Sequence, residues 1–479
     1  MFKVPTIIQG GMGVGISNWR LAQAVSLTAQ LGVVSGTALD QVLVRRLADG
    51  DPSGAMRRAL AAFPFPAVAR RILDEFFIAG GKPATQPYPA LPLHSHRQPR
   101  KLVELCMAAN FAEVFLAREG HQNPVGINFL EKVQLPHLAS IYGAMLAGVG
   151  YVLMGAGIPS QVPGILDAFA ARRPAEYRLS VSGGGTEHTA DATVRFDPAD
   201  YADDAPLPSL TRPTFLAIVS SHTLAASLLR RASGRVDGFV VEGPTAGGHN
   251  APPRGKLQLN ASGEPLYGDR DRVNLAEMRA LGVPFWLAGG YGSPEKLAEA
   301  LAEGASGVQV GTAFAFSEES GLRSDLKREL LAQAVAGTGR VLTDPLASPT
   351  GFPFKVAQLA GTASDSAVAA LRPRLCDVGL LREPYVRADG ELAWRCSAEP
   401  LSCYVAKGGA EEATVGRKCL CNALLANIGH AQLRTDGVVE PPLVTLGDDI
   451  NTVARYLRPG EHTYSAADVI EAILQPQIA

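Results

Sequence analysis

No run of roughly 18 or more consecutive apolar residues occurs in the 479-residue chain, which sets aside a membrane-spanning helix. Charge of one sign is missing too: 44 Lys and Arg stand against 46 Asp and Glu, a balance of −2. A nucleic-acid binder would carry an excess of clustered cations, so that class is excluded as well. Cysteine is scarce, with 6 residues, too few for a disulfide scaffold and in keeping with a reduced, cytoplasmic protein. The first residues, Met1 to Pro5, reach Gly10 and Gly11 too soon to hold the apolar region of a secretory signal. Charged residues amount to 19%, below the roughly 25% usual in globular domains. What the chain does have is glycine and proline, 50 and 34, together with 47% hydrophobic residues. That combination describes a large core broken by many turns, long enough for one large α/β barrel plus additions.

Eight short β-branched runs recur, each followed by a stretch of helical spacing. They are Val4–Gln9, Leu31–Ser35, Pro124–Phe129, Gly150–Gly155, Thr214–Ser220, Gly238–Gly243, Phe285–Gly290 and Gly307–Gly311. Continuous apolar strands alternating with helices imply a parallel sheet covered by helices, and eight such units close a (β/α)8 TIM barrel. One intervening helix is legible in detail: Ser293 caps it, Pro294 opens it and Gly304 ends it. The barrel is expected within residues 1–316, with an insertion at about 45–123 and a surface excursion at about 183–213. Residues 317–460 are expected to form an additional cap domain. Residues 461–479 should supply a terminal helix packed on the barrel, with Ser465 and Asp468 at capping-box spacing. In the Pro-rich part of the insertion, His94 and His96 read as solvent-exposed.

Chemistry in such a barrel collects at the C-terminal ends of the strands. Gly10, Gly11 and Met12 follow the first run, and Asn128 ends the third. Glu242 ends the sixth, and Gly247, Gly248 and His249 follow it. Gly289 and Gly290 follow the seventh run, and Gly311 and Thr312 the eighth. Glycines there let backbone N–H groups approach a flat or anionic ligand, and the last two pairs suit a phosphate. An imidazole at His249 can accept a proton or donate a hydrogen bond to developing negative charge. The segment Pro349–Lys355 reads either as part of a lid or as a packed turn, and Arg254 and Lys256 as cations near the mouth.

Together, Ile8–Gly13, Pro124–Asn128, Ala246–His249, Leu287–Gly290 and Gly307–Thr312 resemble the nitronate monooxygenase (2-nitropropane dioxygenase) family of flavoproteins, which includes FMN-dependent enoyl-acyl-carrier-protein reductases. The resemblance implies an FMN-binding barrel. Carried over, Gly10, Gly11 and Met12 would lie along the flavin, and Asn128 would hydrogen-bond it. Glu242, Gly247 and Gly248 would complete its pocket. Gly289, Gly290, Gly311 and Thr312 would hold its phosphate, and His249 would be the catalytic residue. The activity implied first is oxidation of a small nitronate or nitroalkane with O2; reduction of an enoyl thioester by NAD(P)H is the alternative. A flavin-binding or electron-transfer module without turnover is a reading of a different class. Gly10-Gly11-Met12 and Glu242 stand closer to the reductases, since many monooxygenases have Ala-Pro-Met and Gln there. The partner in either enzymatic reading is a small molecule, and a homo-oligomer is compatible with both.

Four of the six cysteines, Cys396, Cys403, Cys419 and Cys421, fall within 26 residues. Their spacing matches neither a zinc ribbon nor a ferredoxin run, yet their proximity raises two readings, a zinc or iron–sulfur site and buried free thiols.

Overall fold

The computed structural model describes residues 4–182, 192–202, 206–435 and 437–475. All eight expected strands form: β1 (Ile7–Gln9), β2 (Gly32–Ser35), β3 (Val125–Leu130), β4 (Tyr151–Gly155), β5 (Thr214–Val219), β6 (Gly238–Glu242), β7 (Phe285–Ala288) and β8 (Gly307–Val310). Each pairs in parallel with the next, and β8 pairs with β1. Between β1 and β2 the ring closes through a parallel bridge at Ile8 and Leu31, where Gln9 N donates to Leu31 O at 2.9 Å. The protein is therefore a closed (β/α)8 barrel with additions.

Alternation along each strand fills its interior. Ile8, Val33, Leu153, Leu216, Val240 and Trp286 pack against one another inside the ring, and the Trp286 indole N–H donates to Pro5 O at 2.8 Å. Because side chains repeat on one face every second residue, the next inward positions toward the C-terminal rim include Asn128, Glu242 and Gln309, beside Ile218. Polar residues thus replace most of the apolar ones one layer above the core. That change of polarity is what positions the site.

The helix predicted after Ser293 spans Pro294–Ala302, with Ser293 Oγ accepting from Lys296 N. Within the insertion, helices Ala55–Ala61 and Pro66–Phe76 precede the 18-residue helix Arg100–Ala117, which packs on the helices Trp19–Leu27 and His137–Leu146. The helix Arg100–Ala117 leads directly into β3 and packs on neighbouring outer helices of the barrel, so the insertion proper ends before it. In the expected excursion, residues 183–191 and 203–205 lie outside the described residues, as do residues 1–3 of the N-terminal reading. Thr193–Phe196 forms a hairpin with Ala175–Arg178 and buries Val194 and Phe196. After β8 the chain forms a hairpin of Val341–Asp344 with Phe354–Ala357, then further short helices that lie against the C-terminal rim. The helix Ala466–Leu474, with its Ser465–Asp468 capping box, packs against the helices Trp19–Leu27 and Pro294–Ala302. No helix of the described residues is long and apolar enough to cross a membrane.

Candidate active site

All twelve residues named from the strand ends line one cavity at the C-terminal mouth of the barrel. Local backbone demands explain the glycines. A Cβ at Gly11 would collide with Asn128 Cβ and press on Val33, so only glycine lets this loop lie flat on β3; Asn128 Nδ2 then donates to Gly11 O at 3.1 Å. Below it, Ser17 Oγ accepts from Met12 N at 2.8 Å and donates to Gly10 O at 2.9 Å, which fixes the loop after β1. Gly289 and Gly290 have φ of 97° and 80°, positive values that favour glycine and leave the backbone here free of side chains at the cavity wall. A Cβ on Gly290 would meet open space, whereas one on Gly289 would strike Thr245 Oγ1.

His249 follows the sharp turn at Gly248, where φ is 83°. Its Nε2 lies 2.7 Å from Ser348 Oγ, which in turn is 2.8 Å from Thr350 Oγ1. The Phe354 ring packs edge-on at 4.7 Å. The segment Pro349–Lys355 is therefore tied to the histidine loop: Asn250 N donates to Pro353 O and Lys355 N to Gly248 O, both at 2.9 Å. The packed-turn reading describes it, with Phe354 facing the cavity.

The electrostatics are unusual. Burial pushes the Glu242 carboxyl up to about 7 and the His249 imidazole down to about 4, so both are neutral slightly below neutral pH. Asp449, buried at the cradle of Gly289, Gly290, Gly311 and Thr312, is also raised by burial and accepts from Thr312 Oγ1 at 2.7 Å. Among the described residues, no Lys or Arg lines this cavity, because the nearby Lys355 is committed to Asp448 at 2.6 Å. Asn128 Oδ1 and Gln309 Oε1 are buried without a hydrogen-bond partner. Unpaired buried acceptors cost free energy, so they call for a donor. A second cavity opens beside the first and shares Glu242, His249 and Ile218 with it; Arg254, Tyr267 and Phe352 stand at its wall.

Sequence reasoning missed Gln309, Ser348 and Asp449, and named Phe354 only as part of the segment Pro349–Lys355. Gln309 had a signal, a polar residue in an otherwise apolar strand. Ser348 and Asp449 arrive from the chain after β8 and carry none.

Two expectations need correction. Cys396, Cys403, Cys419 and Cys421 do not form one metal site, and the free-thiol reading describes them: Cys403 is exposed on the short helix Leu401–Ala406, whereas Cys396 is buried. Cys396 instead hydrogen-bonds Cys376, a residue outside the expected set. Cys421 lies within electrostatic reach of Cys376, Cys396 and Cys419, yet among the described residues the group whose donor atoms approach closely enough for a metal lies elsewhere. His94 is not solvent-exposed but 2% exposed, drawn in by Asp40, and His96 stacks on Trp394 at 5.3 Å.

Comparison with known proteins gives a consistent picture. A family model described as nitronate monooxygenase matches residues 199–345. The (3aS,4S,5R,7aS)-5-hydroxy-7a-methyl-1-oxo-octahydro-1H-indene-4-carboxyl-CoA dehydrogenase of Rhodococcus jostii is 32% identical over 123 residues, 26% of this chain and 31% of that protein. A nitronate monooxygenase of Pseudomonas aeruginosa is 33% identical over 143 residues, 29% of this chain and 38% of its own. The chain thus spans about a third of the length of these curated relatives. The solved structure of FabK from Thermotoga maritima overlaps 98% of this chain and 91% of its own, at 16% identity and a TM-score of 0.49. The family model and the nitronate monooxygenase relative bear out the resemblance to that family over part of the chain, with the model's match on residues 199–345, from just before β5 through β8 and beyond.

Proposed function

We propose that the protein is an FMN-dependent oxidoreductase whose flavin lies across the C-terminal mouth of the barrel. The observation that carries this reading is the convergence of twelve strand-end residues on one cavity. The residues fit the cofactor. The flat approach at Gly11 and the unpaired acceptors Asn128 Oδ1 and Gln309 Oε1 suit a planar ring bearing N–H donors. The side-chain-free backbone at Gly289 and Gly290, with Gly311 and Thr312, suits a phosphate, and burial raises the Asp449 carboxyl beside it, which lessens the opposing charge. When bound, FMN supplies the acceptance and return of electrons or hydride.

The chain's own groups then select the substrate. Where Glu242 and His249 meet, away from the glycine cradle assigned to the phosphate, burial favours the neutral form of both side chains and so a neutral substrate over an anion. We infer a neutral, activated carbonyl compound, with reduction of an enoyl thioester by NAD(P)H the reading that fits best. His249, neutral and oriented by Ser348, would hydrogen-bond the substrate oxygen. Glu242, kept protonated by burial, would deliver the proton. The second reading, oxidation of a nitronate with O2, is favoured by the family match over residues 199–345. Full-length protein should be assayed with a short enoyl thioester plus NADH or NADPH, and separately with an alkyl nitronate in air. Thioester turnover supports the first reading, nitronate turnover alone supports the second, and neither sinks both.

A further inference from the structure

Outside the active-site cavity, three buried side chains meet where the loop before the long helix Arg100–Ala117 crosses the helix Leu39–Ala48. Asp40, His94 and Cys106 are 4%, 2% and 2% exposed, and one donor atom from each lies within 4.8 Å of the others. The ring of His94 is fixed by hydrogen bonding. Gln98 Nε2 donates to Leu135 O at 2.6 Å, which turns Gln98 Oε1 toward His94 Nδ1 at 2.9 Å. An amide oxygen only accepts, so Nδ1 carries a proton, which leaves Nε2 as the ring atom turned toward Asp40. Nε2 faces Asp40 Oδ2 at 3.1 Å, a spacing bridged by a cation, either a proton on Nε2 or a metal ion.

We propose that Asp40, His94 and Cys106 form a structural site for a divalent transition metal, with zinc the best match to the donor set. Carboxylate, imidazole and thiolate are all zinc ligands, and bonds of about 2.0–2.1 Å at the tetrahedral angle separate N and O ligands by about 3.3 Å, close to the spacing found. Gln98 supplies the hydrogen bond that orients a metal-bound imidazole through its far nitrogen. Binding of the dication releases the Cys106 proton, so the metal, one carboxylate and one thiolate sum to zero charge, as a buried site requires. The second Asp40 oxygen or a water fills the fourth position. The site fastens the loop that carries His94, whose carbonyl also accepts from Arg382 Nη2 at 2.5 Å, to the helix that follows β2.

The test is metal content by mass spectrometry on the full chain, incubated with one equivalent of Zn2+ and dialysed, together with thermal unfolding. Expected are one zinc retained per chain, a higher Tm with zinc, and at least about tenfold weaker zinc affinity in Cys106→Ser and His94→Gln. Cys396→Ser should leave zinc binding unchanged. If His94→Gln does not fold, Cys106→Ser carries the test alone. No retained zinc, which would make the bridging cation a shared proton, overturns the proposal. So does equal retention by Cys106→Ser, or loss in Cys396→Ser.

Discussion

Replacing Glu242 by Gln keeps the shape of the side chain and removes its titration. The carboxyl sits one layer above the apolar barrel interior, with no Lys or Arg lining the main cavity, and burial pushes its pKa up to about 7 from 4.5. The sign follows from linkage. Below 4.5 the folded and unfolded chains both hold the proton, and nothing is lost. As the pH rises past 4.5 the unfolded chain releases it first, so stability falls until the folded carboxyl ionises at about 7 and stays lowered above that. Holding the charge in the fold costs about 3 kcal/mol at the interval given. Water in the cavity mouth screens part of this, so a difference of about 1–3 kcal/mol is expected. Urea midpoints of flavin-free protein measured across this pH range are the assay. Glu242→Gln should match the parent near about pH 4, exceed it by that margin near about pH 8, and show a flatter profile. If parent and variant keep parallel profiles, Glu242 is not a buried neutral acid and its role as proton donor fails with it. On the proposed reaction, the same variant should keep its flavin and lose about a hundredfold or more in turnover.

Other perturbations report on the remaining parts of the site. Gly11→Ala drives a methyl into Asn128 and should lower flavin retention and destabilise the fold by about 1–3 kcal/mol, read as flavin per chain and urea midpoint. Ser348→Ala removes the oxygen 2.7 Å from His249 Nε2; kcat should fall by about tenfold with flavin content unchanged, and an unchanged kcat would show that the ring needs no orientation. Asp449→Asn should leave flavin affinity unaltered at low pH and strengthen it at alkaline pH, where the parent's carboxylate faces the phosphate; dialysis at the two pH values reads the difference.

How much of this was legible follows from the range over which each feature is encoded. The eight strands were visible because each is a local run of apolar, β-branched residues, and the twelve strand-end residues followed because a parallel barrel puts those ends on one rim. Strand limits shifted by one to three residues at the margins; β1, for example, starts at Ile7 and not at Val4. The closing wall of the cavity was not legible. Thr312 and Asp449 are 137 positions apart, and His249 and Ser348 are 99 apart, so no local pattern announces either pair. His94 misled for the same reason: its Pro-rich surroundings read as surface, while its partner Asp40 lies 54 positions earlier. The cysteines misled in the opposite direction, since a short helix turns Cys403 outward while Cys376 reaches Cys396 from 20 positions before it.

The central claim is that a phosphate-bearing flavin occupies the rim cavity beside His249 and Glu242. Acid release of the cofactor from purified full-length protein, followed by chromatography and quantitation, tests it most directly. The account predicts one FMN per chain, reduced in amount by Gly11→Ala and retained by Ser348→Ala. A chain that takes up no flavin when FMN is supplied, or that releases FAD instead, contradicts it.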